Sequence, residues 1–313
     1  MKKTAFIFPG QGAQYIGMAC DFAESFKESR LVFEEAGETL GTDMFRLIRE
    51  GSEADLQQTE VTQPAVLTAC IATLAAMRSR GFECCSAAGL SLGEYAALVA
   101  AGSIDFPKAL QAVRERAKIM QNAVPEGEGT MISVIGVGFQ QISDFINENF
   151  DNKLVGIANY NSPEQIVLSG ETKATEAAAE AITKHWHSKT VKLPVSAPFH
   201  SQLLFKASEK FMPVVEDLGI KMPAFDVYSN VTAGIYRSTE EIKTNLVRQF
   251  YSTVLWAPTA EKMVQSGITA FYELGPGHSL SAFVKRVANS LQMKVSTQNI
   301  ECISALDSLS LSR

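Results

Sequence analysis

Cysteine and histidine are scarce in this chain of 313 residues, which contains five and four of them. No CxxC pair and no HxxxH or HExxH pattern occurs, which argues against a structural zinc site. An odd number of irregularly spaced cysteines is typical of reduced thiols rather than of a disulfide framework. We therefore expect a cytoplasmic protein without a metal site; its cysteines are Cys20, Cys70, Cys84, Cys85 and Cys302.

Long apolar runs and an excess of positive charge are also missing. No stretch of eighteen consecutive apolar residues occurs, so no membrane-spanning helix is expected. In the N-terminal MKKTAFIFPGQG, Pro9 and Gly10 end a short apolar run, which argues against a signal peptide. The net charge of −6 argues against a nucleic-acid-binding protein, because neutralising phosphates requires a basic face.

The chain does contain short apolar strands that alternate with helices, the pattern of an α/β protein with a parallel sheet. Helices are predicted over residues 61–80, 92–101 and 106–124, with a last helix over 279–292. The predicted strands of the main body are 4–8, 84–90, 224–230 and 269–275. A strand, a sharp turn and a helix follow one another around Ser91, which predicts an α/β-hydrolase-like core.

Residues 126–196 follow a different pattern. Their predicted order is βαββαβ, with two strands around an Asn-Ser-Pro turn, which is typical of a ferredoxin-like unit. Because this unit interrupts the α/β region, we interpret it as an inserted subdomain. The prediction is a catalytic domain made of residues 1–125 and 197–313, with the insertion at 126–196.

The turn in question reads Gly89-Leu90-Ser91-Leu92-Gly93, and it matches the GxSxG pattern of a nucleophile elbow. Glycines on both sides permit the tight crossing of strand and helix. The amide of Leu92 falls in the first turn of the helix, where N–H groups are unpaired and available to an oxyanion. A glycine-rich turn that carries a serine by chance is the alternative.

Two other segments resemble functional motifs. GQGAQYIG at 10–17 is similar to a dinucleotide-binding loop, but Tyr15 stands where GxGxxG requires glycine, so NAD binding is not expected. The amides of this loop are available instead as a second oxyanion donor. Ser279 also lies in a turn, Gly277-His278-Ser279-Leu280-Ser281, but serine replaces the final glycine.

A serine nucleophile needs a base, and the residues alone leave two candidates. The chain order of α/β-hydrolases favours His278 with Asp226 or Glu273. His200, which follows the insertion, is the other candidate. His185 and His187 flank Trp186 in the insertion and are expected at the surface.

Arg116 stands out in the predicted helix 106–124, because it lies beside the apolar stripe rather than on the polar face. A partly buried guanidinium requires an anion. From the residues alone, an ion pair with a carboxylate elsewhere in the chain is the simplest explanation.

Over almost its whole length the sequence resembles the malonyl-CoA:acyl-carrier-protein transacylase family. Its motifs occur in the family's order and spacing: FPGQGAQ (8–14), TQPA (62–65), GLSLGEYAAL (89–98), RAKIMQNAVPEGEGTM (116–131), IANYNSPEQIVLSG (157–170), PFHS (198–201), YSNVTA (228–233) and ELGPG (273–277).

The resemblance implies roles for individual residues. His200 is the base for Ser91, and a backbone carbonyl in the segment RQFY at 248–251 orients it, which points to Gln249. The amides of Gln11 and Leu92 form the oxyanion hole. Arg116 holds the free carboxylate of a malonyl group, and Phe199 narrows the space beside the acyl α-carbon, which disfavours methylmalonyl.

The implied reaction is the ping-pong transfer of malonyl from malonyl-CoA to the phosphopantetheine thiol of holo acyl carrier protein, most commonly for fatty-acid biosynthesis. The resemblance also implies a monomer with no tightly bound cofactor, the coenzyme A thioester being a substrate. Leu90 replaces the histidine that often precedes the nucleophile, and we expect only altered packing or reactivity around this turn. The alternatives are a serine hydrolase or thioesterase using Ser91 and His278, a trans-acting polyketide-synthase acyltransferase, and a non-catalytic interaction module.

Overall fold

The N-terminal part of the chain places short buried strands next to long helices. The computed structural model describes residues 3–195 and 197–310. Its first elements are β1 (Lys3–Phe8), α1 (Cys20–Ser25), α2 (Lys27–Leu40), α3 (Met44–Glu50), α4 (Glu53–Gln57), α5 (Thr59–Ser79), β2 (Ser86–Gly89), α6 (Gly93–Ala100) and α7 (Phe106–Gln121).

The middle part forms an antiparallel sheet with two helices. Its elements are β3 (Gly129–Ile135), α8 (Phe139–Asn149), β4 (Val155–Ser162), β5 (Gln165–Glu171), α9 (Thr172–Trp186) and β6 (Lys189–Lys192). The strand order is β4-β5-β3-β6. Ile132, Ile142, Ile166 and Ile182 belong to an apolar cluster of this unit, separate from the clusters of the main body. The predicted βαββαβ order is therefore present.

The C-terminal part completes a parallel sheet. It contains a 3₁₀ turn (Gln202–Leu204), α10 (Phe205–Glu209), α11 (Met212–Glu216), β7 (Asp226–Val227), α12 (Thr239–Arg248), α13 (Trp256–Gln265), β8 (Ile268–Leu274), α14 (Ser279–Ser290), β9 (Ser296–Ile300) and α15 (Ile303–Ser310). The strands follow the order β7-β2-β1-β8-β9, and all their pairings are parallel. The central strand β1 is apolar on both faces because helices cover both. The prediction of an α/β protein with a parallel sheet is confirmed.

Two predictions for this part were wrong in extent. The strand expected over 224–230 is only two residues long, because the Ser229 amide bonds to the Gly234 carbonyl and the chain turns. The helix over 279–292 is not the last element, since β9 and α15 follow it. β9 pairs with β8 at the edge of the sheet, and its sequence, STQNI, is too polar to be recognised as a strand.

Helix α5 is the one described helix long and apolar enough to cross a membrane by length and composition. In this fold 83% of its apolar stretch is buried. It packs against α2, α7 and α6 and reaches β8. Its apolarity is therefore explained by its position in the core.

Strand β4 connects the antiparallel sheet to the C-terminal part of the chain through hydrogen bonds. The Tyr160 amide donates to the Val254 carbonyl at 3.0 Å, and the Val254 amide donates to the Ala158 carbonyl at 2.8 Å. The Thr253 hydroxyl donates to the Ile157 carbonyl at 2.6 Å. These bonds hold β4 against the loop between α12 and α13, where it forms one wall of a cavity.

Candidate active site

The turn between β2 and α6 exposes a serine hydroxyl. Ser91 has a φ of 52°, a left-handed conformation that is rare for a residue with a side chain. A Cβ on Gly89 would overlap the backbone of Gly93, and a Cβ on Gly93 would overlap the carbonyl of Phe8. Both flanking glycines are therefore needed for the close crossing, as the sequence predicted.

The strained turn is held by Asn230, to which the sequence analysis gave no role. The Ser91 amide donates to Asn230 Oδ1 at 2.6 Å, and Asn230 Nδ2 donates to the Gly89 carbonyl at 2.7 Å. Asn230 is buried just after β7, the neighbour of β2 in the sheet. The only feature of the sequence that could have indicated this role of Asn230 is its position in YSNVTA, directly after an apolar strand.

Ser91 contacts His200, although 109 residues separate them. The Ser91 Oγ–His200 Nε2 distance is 2.8 Å, and His200 Nδ1 lies 2.6 Å from the carbonyl oxygen of Gln249. Because that carbonyl only accepts, Nδ1 carries the proton and Nε2 accepts from the serine. Burial, reinforced by the positive charge of Arg116, lowers the pKa of His200 from 6.5 to about 3. The imidazole is thus neutral and oriented to take a proton.

The alternative base, His278, does not form the contact with Ser91 that His200 forms. His278 is exposed at the start of α14. The carboxylate of Glu273 accepts from the amides of Leu280 and Ser281 at 3.1 and 2.7 Å, so it caps that helix. Asp226 is exposed on β7. His185 and His187 are exposed as well.

Arg116 is buried at the floor of the same site, with 1% of its surface exposed. Its guanidinium donates to three neutral oxygens: Gln63 Oε1 and Gln249 Oε1, each at 2.7 Å, and Ser91 Oγ at 2.9 Å. Tyr95 and Phe250 flank it, with ring centroids 5.7 and 5.8 Å from Cζ. Burial lowers the pKa of Arg116 below its usual value.

No carboxylate forms an ion pair with Arg116 within residues 3–195 and 197–310. The ion pair that the residues alone suggested is therefore absent from this part of the chain. The guanidinium is hydrogen-bonded to neutral groups, and Glu94 acts on it only electrostatically, without an ion pair. An anionic ligand would supply a direct counter-ion.

Glu94 is a second buried group that sequence reasoning missed. Its carboxylate accepts from the Tyr236 hydroxyl at 2.5 Å, from the Asn230 amide at 3.2 Å and from Gln249 Nε2. Burial raises its pKa from 4.5 to about 7. Through Gln249, this carboxyl group is linked to both Arg116 and His200. The sequence feature that could have indicated it is an acidic residue among the apolar residues of α6.

Two backbone amides near Ser91 are free to bind an oxyanion. In the described part of the chain, the amide nitrogens of Gln11 and Leu92 have no hydrogen-bond acceptor. The Gln11 side chain accepts from Gln63 Nε2 at 3.1 Å and donates to Thr59 Oγ1 at 3.3 Å. These bonds fix the loop that follows β1 beside the nucleophile.

A cavity of about 150 Å³ unites these groups. Its polar lining includes Ser91, His200 and Arg116, and the opposite wall comes from strands β3, β4 and β5 of the antiparallel sheet. Leu90 and the buried Phe199 also line it. No group of three or more His, Cys, Asp or Glu side chains suited to a metal ion occurs among the residues that the structure describes.

A partly buried serine on a strained turn, a neutral imidazole and free amides are the components of acyl transfer through a serine ester. A family model described as acyl transferase domain matches residues 5–303, which defines the protein as an acyltransferase. Malonyl CoA-acyl carrier protein transacylase of Bacillus subtilis is 41% identical over 295 residues, which cover 93% of this chain and 92% of that protein.

Solved structures agree with this relationship. Malonyl CoA-acyl carrier protein transacylase from Clostridium perfringens superposes with a TM-score of 0.93 at 39% identity, covering 99% of this chain and 96% of that one. A malonyl-transacylase in complex with a type II PKS acyl-carrier protein superposes with a TM-score of 0.94 at 37% identity, covering 99% and 100%. The chain belongs to the malonyl CoA-acyl carrier protein transacylase family, as its motifs predicted.

Proposed function

We propose that this protein transfers the malonyl group from malonyl-CoA to the phosphopantetheine thiol of acyl carrier protein, through a malonyl ester on Ser91. One observation carries the proposal: the Ser91 hydroxyl contacts both the His200 imidazole and the Arg116 guanidinium. A base, His200, and a cation able to bind a carboxylate, Arg116, therefore both contact the hydroxyl of the proposed nucleophile. Family membership supports the same activity.

In the first half-reaction, His200 Nε2 takes the proton of Ser91 as Oγ attacks the thioester carbonyl. The amides of Gln11 and Leu92 donate to the oxyanion that forms. When the tetrahedral intermediate collapses, the C–S bond breaks, coenzyme A leaves as the thiol with the proton from His200, and malonyl remains on Ser91. The Gln249 carbonyl holds the imidazole in the required tautomer throughout.

In the second half-reaction, the thiol of the carrier's phosphopantetheine arm loses its proton to His200 and attacks the malonyl ester. The same two amides stabilise the second intermediate. The C–O bond to Ser91 breaks, His200 returns the proton to Oγ, and malonyl leaves on the carrier. Bonds change only at the malonyl carbonyl carbon, the two thiols, the Ser91 hydroxyl and, by proton transfer, His200 Nε2. We therefore expect no tightly bound cofactor.

Arg116 selects the acyl group in this proposal. A carboxylate at the end of a malonyl chain pairs with the guanidinium bidentately and supplies its countercharge. An acetyl group leaves Arg116 with neutral partners only. Phe199, which lines the cavity next to His200, narrows the space beside the α-carbon and disfavours a methyl branch.

We also propose the domain division expected from the sequence: an α/β-hydrolase-like catalytic domain of residues 1–125 and 197–313, and a ferredoxin-like insertion of residues 126–196. The boundary residue 196 and both chain ends (1–2 and 311–313) lie outside the described residues. The parallel sheet, the order β4-β5-β3-β6 and the insertion's separate apolar cluster support this division. We propose a cytoplasmic monomer that acts in fatty-acid biosynthesis.

A second candidate function is the transfer of malonyl to the carrier protein of a polyketide synthase. It is favoured by the high similarity to a malonyl-transacylase whose structure was solved in complex with a type II PKS acyl-carrier protein. The two differ only in the carrier that receives malonyl. Comparing the rates of transfer to a fatty-acid carrier and to a polyketide carrier separates them. The faster acceptor identifies the pathway.

A transfer assay tests the proposed activity. The protein, malonyl-CoA and holo acyl carrier protein are mixed, and malonyl-carrier and free malonate are quantified over time. The proposal expects rapid malonyl-carrier formation and little free malonate when the carrier is left out. Fast release of malonate without a carrier would instead support the hydrolase alternative, and the absence of any acyl-serine would support an interaction module.

A further inference from the structure

Two buried polar atoms in the residues that line the active-site cavity have no hydrogen-bond partner in the described part of the chain. They are Arg116 Nε and Asn161 Oδ1. One is a donor and the other an acceptor. Leaving such a group unpaired in a buried place costs about 1–3 kcal/mol, so each atom is expected to find its partner in a ligand.

The donor already has a partner in the proposed function, since Arg116 faces the malonyl carboxylate. The acceptor does not. Every polar atom of a malonyl thioester is an oxygen that accepts, so the acyl group offers nothing to Asn161 Oδ1. The N–H donor nearest the reacting carbon is the amide of the pantetheine arm, which lies two carbons from the sulfur. Coenzyme A and the carrier's phosphopantetheine share this group.

We propose that Asn161 is a binding residue for the pantetheine arm, its Oδ1 accepting from the amide N–H next to the sulfur. This inference rests on the proposed function, which supplies the arm. One contact then aligns the thioester carbonyl of malonyl-CoA and the attacking thiol of the carrier, because both reach Ser91 through the same two-carbon spacer. The arm thus lies between the inserted unit and the main body.

The backbone of β4 places Asn161 in the wall of the cavity. The pairing of β4 with β5 is irregular on either side of the segment 159–161, between Ile157 and Asn159 and between Tyr160 and Ser162. Irregularities of this kind redirect side chains and are common beside active sites. The two bonds to Val254 and the stacking of Tyr160 on Phe139, with ring centroids 4.5 Å apart, hold the segment in place.

Asn159 provides a matched control on the same strand. It is also buried and lines the same cavity, with 9% of its surface exposed against 7% for Asn161. None of its side-chain atoms is both buried and unpartnered. Substituting it changes the cavity wall without removing the acceptor that the proposal uses.

The test compares two small substrates that differ in a single donor. Malonyl-N-acetylcysteamine carries the amide N–H, and its ester analogue, the malonyl thioester of 2-mercaptoethyl acetate, has oxygen in that place. The rate of Ser91 acylation by each is followed by intact mass. Wild-type protein is expected to prefer the amide by about tenfold, the effect of one net hydrogen bond.

In Asn161→Leu, which keeps the size and loses the acceptor, the preference is expected to fall to about one. Asn159→Leu is expected to retain it. The free thiols N-acetylcysteamine and 2-mercaptoethyl acetate, used as acceptors of malonyl from Ser91, are expected to give the same pattern in the second half-reaction. Asn161→Ser, whose side chain is too short to reach, serves as a second variant.

A wild-type ratio near one, or a preference that survives in both Asn161 variants, would overturn the inference. If malonyl-CoA does not acylate wild-type Ser91, the proposed function itself fails, which is a different result. If malonyl-CoA reacts but malonyl-N-acetylcysteamine does not, the inference is overturned, because the amide contact then contributes nothing measurable. The ratio is measured within each variant, so a general loss of stability lowers both rates and leaves the ratio interpretable.

Discussion

Nη2 of Arg116 donates a hydrogen bond to the Ser91 hydroxyl across 2.9 Å. The residue proposed to select the acyl group therefore touches the nucleophile itself. The same guanidinium helps to lower the pKa of His200, which keeps the base neutral. The residue proposed for acyl selection and the proposed catalytic pair therefore belong to one hydrogen-bonded cluster.

Replacing Arg116 tests its role in acyl selection. In Arg116→Met, both substrates lose the effect of Arg116 on Ser91 and His200, but only malonyl loses a charged partner for its acyl group. The ratio of malonyl to acetyl acylation is therefore expected to fall about 100-fold, the value of a charge-assisted contact. Competition between malonyl-CoA and acetyl-CoA, read by intact mass, measures it. Lys118→Met, on the more exposed side of α7, is the control. An unchanged ratio in Arg116→Met would contradict the assignment.

The low pKa of His200 predicts its protonation state. Because the folded-state pKa is about 3, the imidazole is expected to be neutral and protonated at Nδ1 at pH 5, as seen in its ¹⁵N chemical shifts. An unfolded histidine titrates near 6.5, so the unfolded chain binds more protons between about pH 3 and 6.5. This residue's contribution to stability is therefore lost as the pH falls through that window. A half-protonated His200 near pH 6.5 would refute the prediction.

The contribution of Glu94 to stability is expected to depend on pH in the opposite direction. Its folded-state pKa is raised to about 7, so the folded protein binds more protons than the unfolded chain between about pH 4.5 and 7. Its contribution to stability falls as the pH rises through that window. Burial is the main cause, and Arg116, Tyr236 and Gln249 are the charged and polar groups that face it or bond to it.

In Glu94→Gln, an amide N–H₂ is brought close to other donors, and unfolding is expected to become easier by about 1–3 kcal/mol. Urea unfolding should give a larger loss at pH 5 than at pH 8, because the wild-type carboxyl group contributes more at low pH. Glu35→Gln on the exposed face of α2 is the control. A loss that is equal at both pH values, or greater at pH 8, would contradict the account.

Local sequence was sufficient to predict the sharp turn at Ser91, because the strand, the two glycines and the helix around it are contiguous. It was not sufficient to choose the histidine. By local sequence alone, His200 and His278 are equally good candidates for the base. Only the packing of the chain brings His200 to Ser91 and leaves His278 exposed. The family resemblance supplied that choice in advance.

The supporting residues could not be predicted, for a related reason. Asn230 and Glu94 act through partners more than a hundred residues away in the sequence, such as Ser91 and Gln249. Their residue types alone are equally consistent with a turn or a solvated helix face. Strand β9 was missed because an edge strand with a polar sequence lacks a clear apolar alternation.

The most direct test of the central claim is the intact mass of wild-type protein and Ser91→Ala after mixing with malonyl-CoA. The account predicts that the wild type gains the mass of one malonyl group and releases coenzyme A, while Ser91→Ala remains unmodified. Malonylation that persists in Ser91→Ala would contradict it.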